Sequence, residues 1–345
     1  MTTRSFLGTL FFPFLCAAAS SCGQGNKADV FSEPRTLAAD SIAVGQIIRP
    51  QAFFTGDDCV AVQTLEDTVF YVYGLPDFRL RHTFGRRGQG PGEFPSLSAE
   101  QAGSPGVLAV RTYRVAGPAV ELYGFSGEGV AGKGIFRDRG YDPNFRMAYA
   151  VKDDSLLVGA FIRDTPDKEH VLRLVSLVTG EVKDSVDLYQ YTIPYDGREH
   201  ITRNTAHISV CGDKLVIAYE ESGTLDIYEI RDGKFCFVAS PGTRSPSIDR
   251  FDPDPRYSSL AYVALFSDRE YIYAVNARTD MQTLEQGGAM DLVLEVFDWA
   301  GKKVGAFRFD KKNRMPVFVD GSRKTVYAIA AGEDFDRIYT YKMDL

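Results

Sequence analysis

From about residue 45 onward, apolar and polar positions alternate over short runs, and turns rich in Gly, Asp, Pro and Ser separate the runs. A period of two over roughly four to eight residues predicts a β-strand with one face buried. No segment holds a helical period over the roughly ten residues that a helix requires. The strands group into units of about 45 to 60 residues, in the range of propeller blades or slightly longer.

Asp58 leads the first unit, with strands at 59–62, 68–73 and 79–84. The second has 107–110 and 119–125, and the third 155–158, 171–177 and 182–188. Unit four runs through 206–210, 214–219, 224–230 and 234–238. Unit five has 260–266, 271–275, 292–297 and 303–309, and the sixth 317–319, 325–330 and 337–342. Tight hairpins recur at Thr179-Gly180-Glu181, Asp232-Gly233-Lys234 and Ala300-Gly301-Lys302, where glycine supplies a positive φ.

The sixth unit is one strand short at Leu345. Residues 37–48, with Ser41-Ile42-Ala43-Val44 the best match, are expected to supply that outer strand and so hide an open edge. The expected fold is therefore all-β: a six-bladed β-propeller over residues 37–345, closed by an N-terminal strand completing the last blade.

The first residues read as an address. Arg4 precedes a mostly apolar run from Phe6 to Ala19, interrupted by Pro13. It is shorter than the roughly 20 apolar residues of a spanning helix, and small residues follow, as in a signal peptide. Cys22 directly follows Ala19-Ser20-Ser21, which resembles a lipobox whose cysteine is acylated before cleavage, although Ala19 stands where Leu is commoner. Residues 1–21 are expected to be a lipoprotein signal peptide and 22–36 a flexible tether, polar from Gly23 to Lys27. Cys22 would anchor the protein to a membrane, placing it in the cell envelope as an outer-membrane lipoprotein.

Composition adds limits. The chain has 345 residues, 44% hydrophobic and 25% charged, as in ordinary folded domains. Its 18 Tyr and 24 Phe suit pleated surfaces. A net charge of −7 argues against a nucleic-acid partner, which needs a basic face. Beyond the leader, Cys59, Cys211 and Cys236 are odd in number and widely spaced, so they are expected to be free, with Cys59 and Cys236 buried.

No catalytic signature stands out. The four histidines, His82, His170, His200 and His207, are scattered without zinc-ligand spacing. Asp249, Asp252 and Asp254 lack the glycine and terminal glutamate of a calcium loop. Gly127 to Gly132 spell the dinucleotide GxGxxG pattern, but no helix follows, so a hairpin turn is expected. There is no GxSxG elbow, and neither a cofactor nor a metal is expected.

The stretch from Thr83 to Phe94, TFGRRGQGPGEF, resembles the loop leaving an outer strand in NHL-type bacterial propellers. Residues 267–274 and 324–329 resemble repeats of TolB-like six-bladed propeller lipoproteins of Bacteroidetes. The resemblance implies the fold and an envelope lipoprotein; it implies no activity and transfers no site residues. Within the stretch, the glycines permit unusual backbone angles, Phe94 is expected to pack between blades, and Arg86 and Arg87 could read an anion.

Three long connections, at 189–205, 240–256 and 276–288, should share one face of the ring. Long loops in compact domains are often functional. These carry Tyr191, Tyr195, Arg198, His200, Arg203, Arg244, Arg250 and Arg278, with Tyr257 just beyond the second, residue types favoured at binding surfaces. The expected function is a binding module, monomeric, taking a glycan, peptide or protein on that face. The alternative is an extracytoplasmic glycan- or peptide-acting enzyme with its site at the channel mouth.

Overall fold

The computed structural model describes residues 33–45, 48–88, 90, 93–94, 97–114, 117–137, 145–151, 156–162, 170–176, 179–188, 192–195, 198–201, 206–220, 223–242, 259–280, 282–283, 286 and 290–345. Strands β1 (Arg35–Leu37) and β2 (Ala39–Ala43) come first, and each joins a sheet formed far along the chain. The first full sheet holds β3 (Pro50–Thr55), β4 (Cys59–Thr64), β5 (Thr68–Gly74), β6 (Leu80–Arg87) and β7 (Glu93–Phe94). The next holds β8 (Leu97–Gln101), β9 (Val107–Arg114), β10 (Gly117–Phe125) and β11 (Val130–Arg137). It is followed by β12 (Phe145–Val151), β13 (Leu156–Ile162), β14 (His170–Ser176) and β15 (Val182–Asp187).

A two-stranded hairpin, β16 (Thr192–Tyr195) with β17 (Arg198–Ile201), precedes the sheet of β18 (Ala206–Cys211), β19 (Lys214–Tyr219), β20 (Leu225–Arg231) and β21 (Lys234–Ala239). Then come β22 (Ser259–Ser267), β23 (Tyr271–Asp280), β24 (Val293–Asp298) and β25 (Lys303–Phe309), edged by β1. Last are β26 (Arg314–Asp320), β27 (Thr325–Ala330) and β28 (Arg337–Lys342), edged by β2.

Each of these sheets runs in chain order from its first strand outward. First strands of successive sheets touch: β3 with β8, β8 with β12, β12 with β18, β18 with β22, β22 with β26, and β26 with β3. That row closes on itself around a central channel. The fold is an all-β propeller, and the sheets starting at β3, β8, β18, β22 and β26 are five clear blades.

The core lies between sheets rather than at the centre. Cys59 and Ala61 of β4 pack with Phe94, Leu108 and Val110 on one side, while Val60 and Val62 pack with Phe318 and Ile338 on the other. In β19, Leu215 and Ile217 meet Leu172 and Leu174, and Val216 and Ala218 meet Ile272 and Ala274. A second strand buried on both faces has no polar side to show, hence the continuous apolar runs at Cys59–Val62 and Leu215–Tyr219.

N-terminal closure is present. β2 pairs antiparallel with β28, Ser41 opposite Tyr339 and Ile42 opposite Ile338, and the Val44 N–H donates to the Asp336 carbonyl at 2.8 Å. β1 was not foreseen. It takes Arg35 and Thr36 from the stretch read as tether and runs parallel to β25, with Leu37 buried beside Phe309 and Tyr341. Three residues with one buried side chain carry too little pattern to stand out in a sequence.

Other expectations shift. The connection at 276–288 is shorter, because β23 continues to Asp280, opposite Ser259, through two bulges that blur its alternation. The connection at 189–205 carries the hairpin β16–β17. Gly127 to Gly132 do fall at a hairpin between β10 and β11, the Ser126 N–H donating to the Gly129 carbonyl at 2.9 Å. At Asp232-Gly233 both φ angles are positive, 51° and 72°, as the tightest hairpin turn requires. The three cysteines of the described fold are free; Cys59 is buried, whereas Cys236 is only half-buried because its outer strand has one open side.

Candidate functional site

The first strands leave a channel of about 640 Å³ lined largely by apolar residues such as Phe53, Ile208, Ala264, Phe266 and Val317. It adjoins a mouth of about 340 Å³, with Thr55, Gln101, Val210, Ser267 and Val319 lining both. The mouth is built from the turns joining first to second strands.

Those turns are knitted together. The Gln101 amide oxygen accepts from the Thr55 N–H at 2.7 Å, and the Gly212 N–H donates to the Gly103 carbonyl at 2.6 Å. The Ser209 and Ser267 hydroxyls lie 2.8 Å apart. Lys324 Nζ pairs with Glu270 Oε2 at 2.7 Å and sits 4.4 Å from the centre of the Tyr271 ring.

The mouth's aspartates mostly shape turns. Asp268 Oδ1 accepts the N–H groups of Glu270 and Tyr271, both at 2.7 Å, and Oδ2 accepts the Tyr273 hydroxyl at 2.6 Å. Burial, then the bond to Asp268, pushes the Tyr273 hydroxyl well up, so it remains a donor. Asp320 Oδ1 accepts from Ser322 and the Arg323 N–H, and Oδ2 pairs with Arg323 at 2.6 Å. The bond to Asp320 in turn raises the Arg323 guanidinium. The Cys211 thiol, half-buried at the same mouth, is raised by burial and is a poor nucleophile.

Inside the channel the chemistry differs. Glu100 of β8 lines it with no partner among the described residues, and burial pushes its carboxyl up to about 7. His207 of β18 also lines the channel, its Nε2 lying 3.0 Å from Glu220 Oε1. Sequence reading passed over Glu100, whose position in an alternating strand looks like any solvent-facing acid. Among the described residues, no three His, Cys, Asp or Glu side chains gather in a way that could hold a metal ion.

Of the described residues singled out from sequence as ligand-binding, none lines the channel or its mouth. Arg86 and Arg87 end β6, and Arg278 lies near the end of β23, all on the face opposite the mouth. Arg87 Nε donates to the carbonyls of Leu65 and Glu66 at 3.0 and 3.2 Å, tying the outer strand to the turn between β4 and β5. Arg86 is exposed. Arg278 adopts φ 46° and reaches Glu295, a buried acid that also pairs with Lys303 and accepts the Tyr262 hydroxyl at 2.9 Å. Tyr195, Arg198 and His200 belong to the β16–β17 hairpin, where Tyr195 pairs with Arg198. Cys22, Tyr191, Arg203, Arg244, Arg250 and Tyr257 lie outside the described residues.

The glycine-rich stretch proves to be structural around its ends. Phe94 is buried between sheets, edge-on to Phe70 and Tyr123 at 6.2 and 5.8 Å. Glu93 folds back so that Oε2 accepts the Gly90 N–H at 2.8 Å. At Gly85, with φ 73°, a Cβ would sit 2.6 Å from the Phe94 ring.

No protein-family model and no curated protein sequence matches the chain. Solved structures do. A Bacteroides fragilis protein described as exported is 9% identical with a TM-score of 0.52, over 90% of this chain and 96% of that one. The β-propeller domain of Swd1 (Cps50) from Myceliophteria thermophila is 12% identical with a TM-score of 0.48, over 90% of this chain and all of that one. The WD40 domain of Toxoplasma gondii coronin is 11% identical with a TM-score of 0.42, over 91% and 78%. At such identities the likeness concerns the fold alone.

Proposed function

We propose that this chain is an envelope lipoprotein of the TolB-like, NHL-like kind, a monomer whose six-bladed propeller binds a ligand in its central channel. The observation that carries the binding role is the channel itself: about 640 Å³ with mostly apolar walls and a few polar groups, opening to the mouth. Small-molecule sites have this composition and size. The mouth's Asp268 and Asp320 are occupied in holding turns, and Glu270 in an ion pair, which favours binding over catalysis there. Six blades are supported by the closed row of first strands, with β2 completing the last.

The anchor rests on the signal-like leader and on Cys22 after Ala19-Ser20-Ser21. With β1 beginning at Arg35, the free tether would be about a dozen residues, at most roughly 45 Å extended. Such a propeller works close to its outer-membrane anchor. Metabolic palmitate labelling is expected in the wild type and lost in Cys22→Ala; retained label overturns the anchor.

The binding role is tested by thermal shift across a panel of glycans and peptides, with metal analysis of the purified protein. Stabilisation by a panel member supports the channel reading. A copurifying divalent ion with turnover of a panel member would make it an enzyme. If neither occurs, the second reading gains: a protein partner on the long-loop face. That reading is favoured by Arg278, an exposed arginine held at a left-handed φ of 46° there.

A further inference from the structure

We infer that the channel selects a ligand bearing a positive charge, an organic amine with an apolar body, and that Glu100 is its counter-ion. This rests on the channel being a binding site and goes on to name what it takes. The channel that Glu100 lines has largely apolar walls, with Phe54, Ala99 and Ile208 among its residues. Of the described groups lining the channel short of its mouth, the titratable ones are Glu100 and His207, the latter held by Glu220. The cations at the mouth are Lys324, paired with Glu270, and Arg269.

A buried carboxylate with no cation beside it among the described residues is unfavourable as an anion, and burial raises its pKa to about 7. An ammonium group entering the channel would restore the lost stabilisation of the charged form, because a pair in low dielectric attracts strongly. An alcohol of the same shape would not, and an anion would be repelled. The apolar walls would hold the body of the ligand, with the single acid setting its charge. Since Glu100 is about half protonated near pH 7, binding a cation there should expel about half a proton.

The probes are three molecules of one shape and different charge: 2-phenylethylamine, 2-phenylethanol and phenylacetate. Each is titrated calorimetrically into the full chain at pH 7, in buffers of different ionisation heat. The expected result is amine binding at least tenfold tighter than the alcohol, with proton release, and a Glu100→Gln variant that no longer distinguishes the two. His207→Gln should keep the preference for the amine. Equal binding of all three probes, or an amine preference untouched by Glu100→Gln, overturns the counter-ion role while leaving the channel a binding site. Binding of none of them, with no panel member stabilising the protein, overturns both readings together.

Discussion

Leu37 and Val44 flank the closing strand β2 and bury into different seams, so truncating them measures how much the N-terminal segment contributes to the ring. Leu37 is 8% exposed and packs with Phe309 and Tyr341 between the last two sheets. Val44, also 8% exposed, packs with Phe335 and Ile338 between the last and first sheets. Leu37→Ala deletes three carbons, a transfer loss of ~2.4 kcal/mol at ~0.8 per methylene. Residual cavity would add to this, but a site near an edge can relax, so ~2–3 kcal/mol is expected. Val44→Ala deletes two carbons and should cost ~1–2 kcal/mol by the same reasoning. Because the two side chains belong to separate clusters, the double variant should lose ~3–5 kcal/mol. Thr36→Ala, exposed on β1, is the control and should fall within ~0.5 kcal/mol of wild type. Urea unfolding followed by tyrosine fluorescence and far-UV circular dichroism reads the four variants against the wild type. A Leu37→Ala midpoint indistinguishable from that of Thr36→Ala would refute the closure argument. Deleting residues 27–48 should unfold the domain outright; an unchanged melting temperature would refute it equally.

Two further outcomes follow from the same structure. Glu100 titrates near 4.5 when unfolded and about 7 when folded, so its own contribution to stability is most favourable below pH 4.5, falls as pH rises to about 7 and is level above it. Glu100→Gln should therefore change little at pH 4 and gain up to ~3 kcal/mol at pH 8, and an equal effect at both pH values would sink the burial argument. Gly321 faces Asp268 so closely that a Cβ would lie 1.7 Å from Oδ2, on a carboxylate pinned by Tyr273 and two amide N–H groups. Gly321→Ala should cost ~1–3 kcal/mol through that overlap, read as a lower melting temperature; Asp268→Ala in the same background should recover little, since it removes the turn's own bonds.

Period-two alternation, Gly-Asp turns and the repeat length made the strands and the propeller class legible, because both are written in local residue order. The missing strand was legible as well: the last unit had three strands and residues 37–48, with 41–44 the best match, were expected to supply the fourth, which runs Ala39–Ala43 in the structure. Partners beyond the local unit were not. β1 is three residues long and gains meaning only from β25, some 270 positions away. The bulged end of β23 looked like loop because bulges break the alternation on which the reading relies. The TFGRRGQGPGEF stretch was rightly conspicuous, yet its explanation, Phe94 wedged between Phe70 and Tyr123 with Glu93 holding Gly90, needs two sheets at once.

The candidate site shows the same division. Sequence drew attention to arginines and tyrosines in long connections, since residue type and loop length are visible in one dimension. What distinguishes Glu100 is the space in front of it and the lack of a cation beside it among the described residues, and neither is a property of residue order. The order of residues alone determined most of the strands and the turns, and raised the expectation of a leader over residues 1–21 ahead of Cys22. Which acids hold turns, as Asp268 does, and which lines a channel with no partner among the described residues was decided only when strands far apart in the chain closed into a ring. Burial and pairing are relations between distant segments, so only the assembled ring contains them.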